Sequence, residues 1–346
     1  MSPLPDPAAA LAIFGSLVLL AAILFWPERG IVPRLRRLVE LSERVRLEDA
    51  VKHLFNSAAA GRTASVDSLA GAVGVSRDRT VEVARELTRL GLARLEGEVI
   101  ALTEAGRAHA LRVIRTHRIW ERYLADRTGV GAAEWHALAD RLEHKASADE
   151  VDRLAASMGD PVYDPHGDPI PTASGVLPPA RGLPLSAVAA GASARVVHIE
   201  DEPGQVYRSL RAAGVNVGCL VRLDRVDPAG LHLLADGRPV VIDSLAALNL
   251  VVELVEEDDT EEGLERLDAI RPGEEAIVVR LGAQIHGAQR RRLLDLGIVP
   301  GTVVRAELSS LSGDPVAYRI RGAVIALRRA QADDIVVRRR PRKEAA

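Results

Sequence analysis

Residues 8–26, AAALAIFGSLVLLAAILFW, hold no charge and show no polar face. A run of that length is close to the roughly 20 residues that cross a bilayer core. It predicts a single membrane helix over 8–26. MSPLPDP before it has no Lys or Arg, whereas Arg29, Arg34, Arg36 and Arg37 follow it. The positive-inside rule then predicts a single-pass cell-membrane protein, its N-terminus outside and the remainder cytoplasmic. A cleaved signal peptide and a buried core helix are the alternatives.

From Pro33 the pattern becomes amphipathic. An irregular apolar face (Leu35, Leu38, Val45, Val51, Leu54, Phe55) predicts a helix to about Ala60, stopped by Gly61. Ser65 can cap a short helix that ends at Gly74, and Ser76 a second one that runs to about Leu90. Two short strands follow, near 93–95 and 99–102. Helix, glycine turn, helix and small hairpin is the pattern of a winged helix-turn-helix, here 33–103. Ser76, Arg77, Arg79 and Thr80 open its second helix, where base edges and phosphates would be met. Asp78, Glu82, Glu86, Glu96 and Glu98 oppose that electrostatically, so a unit that only packs against protein is the alternative.

Glu104 to about Arg127 reads as one long helix. The turn GVG (129–131) leads to a second helix through WHALADRLEH (135–144), and SADE (147–150) opens a third. DPVYDPHGDPIP (160–171) has four prolines and a glycine, so it is neither helix nor sheet interior. His166 within it reads as a turn residue, with a metal ligand as the alternative. After a linker (172–184), short Val/Ile/Leu runs between glycines repeat themselves. SAVAAGASARVVHI (186–199) matches DAIRPGEEAIVVRL (268–281), and AGVNVGCLVRL (213–223) matches LGIVPGTVVRA (296–306). Two small β-barrels are expected, 185–256 and 266–338, with an acidic linker (257–265) between them and a basic tail (339–346) after them. The fold class is multi-domain α plus β, with residues 1–32 as membrane anchor and 104–171 as a helical domain.

The net charge of −3 over 346 residues does not announce a nucleic-acid binder, so any basic surface must be local. A single cysteine, Cys219, excludes a disulfide framework and a thiolate-built zinc site. Aromatic content of 3% leaves the cores to Leu, Val, Ile and Ala.

The candidate chemistry lies on the second helix of the helical domain. His136, Asp140, Glu143 and His144 fall at i, i+4, i+7 and i+8, one stripe of imidazoles and carboxylates. At ~1.5 Å rise per residue, His136 and Glu143 are about 10 Å apart along the axis. One ion with bonds of about 2.0–2.3 Å cannot take both. The stripe therefore predicts two sites. His136 joins His117 and Glu121 of the preceding helix; Asp140, Glu143 and His144 form the other. Neither HExxH nor a nucleophile–base pair is present, so no enzyme is expected, and a metallohydrolase is the least favoured class.

HRIWERYL…WHALADRLEHKASADEVDRLAASMGDPVYDPHGDPIP resembles the metal-binding and dimerisation region of the diphtheria-toxin-repressor and manganese-repressor family. The resemblance extends through the winged helix-turn-helix, over about 40–180. The C-terminal repeats resemble FeoA-type, SH3-like domains, of which that family commonly has one, so a second is a departure. The resemblance implies an ancillary site of His117, Glu121 and His136, and a regulatory site of Asp49, Asp140, Glu143 and His144. It also implies ancillary ligands from the barrel, with Glu200, Asp201 and Glu202 as candidates. Hard oxygen donors favour Mn²⁺ over Fe²⁺. Lys52 stands where manganese-type members can place a further acid for a second ion, which leaves open whether the regulatory site is mononuclear or binuclear.

ILFWPERGIVPRLRRL is similar to the end of the last membrane helix of metal-transport ABC permeases. The implied function is a membrane-tethered, Mn²⁺- or Fe²⁺-dependent repressor of metal-homeostasis genes, a homodimer on palindromic double-stranded DNA. A membrane-attached adaptor or regulatory subunit of a metal ABC transporter is the alternative.

Overall fold

The structure, a computed structural model, describes residues 14, 16–17, 31–97, 99–255, 263–282 and 285–340. It divides into two compact units, Met1–Ile114 and Arg115–Ala346.

The first unit opens on α1 (Ile31–Ala59), which buries Ala50, Val51, Leu54 and Phe55. The spacing i, i+1, i+4, i+5 is one helix face. Gly61 ends the helix region in the left-handed conformation at φ 67°. Ser65 caps α2 (Val66–Val73) reciprocally with Ser68, and Gly74 at φ 69° closes it. Ser76 caps α3 (Arg77–Arg89) by accepting the Arg79 N–H. Leu69 of α2 and Val83, Ala84 and Leu87 of α3 are buried. Strands β1 (Ala64–Ser65), β2 (Ala93–Glu96) and β3 (Val99–Leu102) form a sheet in the order β1-β3-β2, which makes the wing.

The long helix α4 (Glu104–Arg127) begins in the first unit and ends in the second. There it is followed by α5 (Trp135–Glu143) and α6 (Ala148–Ser157). Ile119, Val151, Ala155 and Ile170 form one small core, and Leu124, Ala125, Trp135 and Ala139 another. The Trp135 indole N–H donates to the Val130 carbonyl at 3.0 Å, so the buried ring leaves no orphan donor. Ser147 and Glu150 form the expected capping box on α6.

Two six-stranded antiparallel sheets complete the second unit. The first β-module has β4 (Leu183–Pro184), β5 (Ser193–Ile199), β6 (Leu220–Asp227), β7 (Gly230–Ala235), β8 (Arg238–Ile242) and β9 (Leu250–Leu254), in the order β4-β9-β5-β6-β7-β8. The second has β10 (Leu264–Arg266), β11 (Glu275–Leu281), β12 (Val303–Ser309), β13 (Val316–Ile320), β14 (Ala323–Leu327) and β15 (Ile335–Arg339), in the order β10-β15-β11-β12-β13-β14. The repeat is visible strand by strand: β5 (Ser193–Ile199) corresponds to β11 (Glu275–Leu281), and β6 (Leu220–Asp227) to β12 (Val303–Ser309). Each module also carries one helix after its second strand, α7 (Gly204–Ala212) in the first and α9 (Gly287–Asp295) in the second, with the short α8 (Ser244–Leu248) between them in sequence. Each module encloses its own aliphatic core.

The two-residue hairpin Asp236-Gly237 (φ 48° and 80°) in the first module has its counterpart in Arg321-Gly322 (φ 48° and 88°) in the second. Paired positive φ values are the type I′ geometry that suits strand twist. Asp236 is buried, accepts the Leu220 N–H at 2.9 Å, and receives Arg280 and Arg266 of the second module. Leu220, Leu264 and Val336 pack beside it, so the modules are joined by an apolar patch and a buried ion cluster.

The expected membrane span, 8–26, lies outside the described residues except for Phe14, Ser16 and Leu17. Among the described residues no helix is long and apolar enough to cross a membrane. A span needs about 20 consecutive apolar residues. The longest described helix, α1, instead carries Arg34, Arg36, Arg37, Glu40, Glu43 and Arg44. The single-pass cell-membrane placement is corrected on that ground.

Candidate metal centre

Two helices and a loop bring the chelating groups together. His117 and Glu121 are one turn apart on α4, and both are buried. α5 presents His136, Asp140 and Glu143, while His144 is its C-cap residue. His117 Nε2 lies 3.1 Å from Glu121 Oε1 and 3.3 Å from His136 Nδ1. His117 Nδ1 faces Asp140 Oδ1 at 3.2 Å and also contacts Glu143. His136 Nδ1 is 3.1 Å from Glu121 Oε1 and 3.1 Å from Asp201 Oδ2.

Two sets of possible ligand atoms each lie within 4.8 Å of one another: His117, His136 and Asp140; and Glu121, His136 and Asp201. Asp140, expected with Glu143 and His144, instead reaches back towards His117 and His136, and His117 contacts both His136 and Glu143. Of the three candidate acids after β5, Asp201 meets His136. Glu200 and Glu202 are exposed, and Glu200 has Asp168, His198 and Asp201 among its charged neighbours. His144 Nε2 stands 3.6 Å from Glu143 Oε1. Asp49 is half-buried on α1 of the first unit.

The electrostatics follow from this crowding. Hydrogen bonds to Asp201 and Glu121 push the His136 imidazole up to about 10, against burial and the neighbouring His117. Burial alone would raise Glu121, yet the hydrogen bonds from His117 and His136 outweigh it and hold the carboxyl well below its ordinary value. Asp201 is held down against burial by its bond to His136. Imidazolium and carboxylate thus neutralise one another in the metal-free protein, and a divalent cation would replace the protons in that role.

His166 adds a group that the sequence pattern placed only in a turn. It does occupy one: Asp164 accepts the N–H groups of His166 and Asp168, at 2.8 and 2.9 Å, and the Gly167 N–H bonds the Asp164 carbonyl. Yet the ring is 2% exposed, against Tyr207 and Trp135, and Nε2 is 3.8 Å from Glu121 Oε1. Among the described residues neither ring nitrogen has a hydrogen-bond partner. A buried imidazole with both nitrogens unanswered beside three chelating groups fits a bound cation. Burial first, then Asp168 and Glu121, raises the Asp164 carboxyl well above its ordinary value. The signal was the acid density of DPHGD, which a turn alone does not require.

The helix-turn-helix residues differ among themselves. Ser76 is an exposed cap. Arg77 lies 3.6 Å from Asp67, and Arg79 is engaged by Glu43 at 2.8 Å and by Glu82. Thr80 is 0% exposed, and its hydroxyl donates to the Ser76 carbonyl at 3.0 Å. That leaves Thr80 to hold the turn, with no face towards a groove.

Residues 103–172 match the sequence profile of the iron-dependent repressor metal-binding and dimerisation domain, and 265–339 match the FeoA domain. The iron-dependent repressor IdeR of Mycobacterium tuberculosis is 34% identical over 165 residues, 44% of this chain and 71% of that protein. The chain belongs to the diphtheria-toxin-repressor and manganese-repressor family. The diphtheria toxin repressor of Corynebacterium glutamicum is 29% identical over 239 residues, 66% of this chain and 87% of that one. A solved manganese-dependent transcriptional repressor in complex with manganese is 31% identical with a TM-score of 0.54, over 60% of this chain and all of its own. Members of this family are transcriptional repressors, not enzymes. These relatives do not support the membrane or transporter partner expected from 8–26, and they do not favour the adaptor alternative.

Proposed function

We propose that this chain is a repressor that binds double-stranded DNA as a homodimer when Mn²⁺ or Fe²⁺ occupies its helical domain, and that it controls genes of metal homeostasis. The observation that carries the reading is the convergence of His117, Glu121, His136, Asp140 and Asp201 in a chain that also folds a winged helix-turn-helix. Imidazole with several carboxylates suits a first-row divalent ion, and the oxygen-rich set favours Mn²⁺. His117, Glu121, His136 and Asp201 would hold an ion at the ancillary site, with His166 in reach. Asp140, Glu143 and His144 would hold one at the regulatory site, and the family resemblance adds Asp49. Bound metal would supply positive charge where these side chains now share protons.

His136 and Asp201 come from different domains of the second unit, so an ion held by both would tie those domains together. Only a difference in affinity between conformations shifts a population. The reading therefore requires metal to favour the DNA-binding arrangement over another. The test is a titration of duplex binding with Mn²⁺ and Fe²⁺ on the full chain, using DNA fragments selected by the protein from a random pool. Affinity that rises with metal supports the reading. Equal affinity with and without metal, in folded protein, ends it.

A further inference from the structure

The chain is acidic overall, but its charge is unevenly placed. From Glu265 to Ala346 there are 16 Lys and Arg against 10 Asp and Glu, whereas the rest of the chain holds 29 against 38. The winged helix-turn-helix shares little of the surplus: residues 33–103 contain 12 basic and 10 acidic side chains. Several of its arginines are also engaged, Arg79 by Glu43 and Glu82, Arg89 by Glu86 and Arg77 near Asp67. Duplex DNA presents one negative charge per ~1.7 Å of its axis, and affinity depends on how many phosphates are neutralised. A reading head so near neutrality gains from cations elsewhere in the chain.

The second β-module has them on one element. α9 carries Arg290, Arg291 and Arg292 in succession, all exposed, with Asp295 the only acid from Gly287 to Pro300. Arg321, at the tip of the β13–β14 hairpin, folds its side chain over Gly297 just past the end of α9. Other arginines of this module are spent on acids: Arg266 and Arg280 on Asp236, Arg319 on Glu307, and Arg339 on Glu265 and Glu274. Arg290, Arg291, Arg292 and Arg321 form no ion pair among the described residues.

The repeat sharpens the contrast. At an offset of 83, Arg290-Arg291-Arg292 stand where the first module has Tyr207-Arg208-Ser209. Tyr207 is buried against His166, whereas Arg290 faces solvent. The positive field is felt nearby: His286, just before α9, is lowered to about 4 by burial and by Arg211, Arg290 and Arg122.

We propose that the face made by Arg290, Arg291, Arg292 and Arg321 binds the phosphate backbone of duplex DNA. It is a sequence-independent contact additional to the recognition helix. The inference rests on the repressor reading for its choice of polyanion. Guanidinium groups suit phosphate oxygens, and a contact of this kind adds affinity on every sequence alike.

The test uses the full chain with Mn²⁺ and an arbitrary-sequence duplex, with binding followed by anisotropy between about 50 and 200 mM salt. The triple variant R290Q/R291Q/R292Q should bind at least tenfold more weakly at the lower salt. Its slope of log affinity against log salt should be shallower by roughly 2 to 3, at about 0.9 per phosphate contact. R290K/R291K/R292K should keep most of the slope. An unchanged slope in the glutamine variant, with wild-type binding intact, overturns this inference and leaves the repressor reading standing. Wild-type protein that binds neither arbitrary nor selected duplex overturns both. A parallel arm with phosphatidylglycerol vesicles separates lipid from DNA. If the glutamine variant loses vesicles but keeps its DNA slope, the face belongs to anionic headgroups and the proposal fails.

Discussion

His136 Nδ1 stands 3.1 Å from Asp201 Oδ2, which ties α5 of the helical domain to the loop after β5 of the first β-module. Asp201→Asn keeps the shape and removes the charge. Mn²⁺ affinity at the ancillary site should fall at least tenfold, as the loss of a partner to a ligating histidine commonly costs. Calorimetric titration of the full chain measures it. An unchanged isotherm would remove Asp201 from the site.

His144→Ala should abolish metal-activated DNA binding, whereas His136→Ala should only weaken it. The proposed function assigns the two residues to different ligand sets. Equal losses in a metal-dependent duplex-binding assay would show that the sets act as one. Asp49→Ala in the same assay tests the ligand that the family resemblance places on α1.

The His136 imidazole is raised to about 10, so the metal-free fold binds a proton that the unfolded chain releases near 6.5. Its stabilising contribution is full below pH 6.5 and is lost as pH rises through 10. Chemical denaturation of metal-free protein should show that decline, and His136→Gln should flatten it. A cation must displace the same proton, so apparent Mn²⁺ affinity should increase with pH up to that value.

His286 behaves oppositely. Its ring packs on Trp135 at 4.9 Å and is lowered to about 4, so the folded protein holds it neutral where the unfolded chain would protonate it. That contribution is present above pH 6.5 and is lost as pH falls through 4. Acid should loosen the second β-module from the helical domain, read as earlier proteolysis near α9. His286→Phe keeps a ring against Trp135 and should remove the acid sensitivity.

Asp236→Ala leaves Arg266 and Arg280 facing each other without their shared carboxylate. Removing one partner of a buried ion cluster costs about 3–5 kcal/mol. Thermal unfolding should shift down accordingly, and a midpoint close to wild type would show that the apolar patch alone holds the modules together.

Much of this was legible beforehand because local rules decide it. Ser65, Ser76 and Ser147 cap the helices that their positions announce, Gly61 and Gly74 end helices in the left-handed region, and the β-module repeat survives as matched strands. Helical spacing put His117, Glu121 and His136 together. What the pattern could not convey was depth and partner choice. Thr80 looked like a groove residue until its hydroxyl turned to Ser76, and His166 looked like an exposed turn until Tyr207 and Trp135 closed over it. Both depend on contacts distant in sequence. The apolar run 8–26 read as a span from its length and lack of charge, and apart from Phe14, Ser16 and Leu17 it lies outside the described residues.

The paired hairpins carry one last implication. Asp236-Gly237 and Arg321-Gly322 share their backbone turn and differ in the sign of the side chain. The acidic tip of the first copy seats on two arginines of the second. One backbone turn therefore serves as a plug between neighbouring modules when its tip is acidic, and as an exposed cation when its tip is basic.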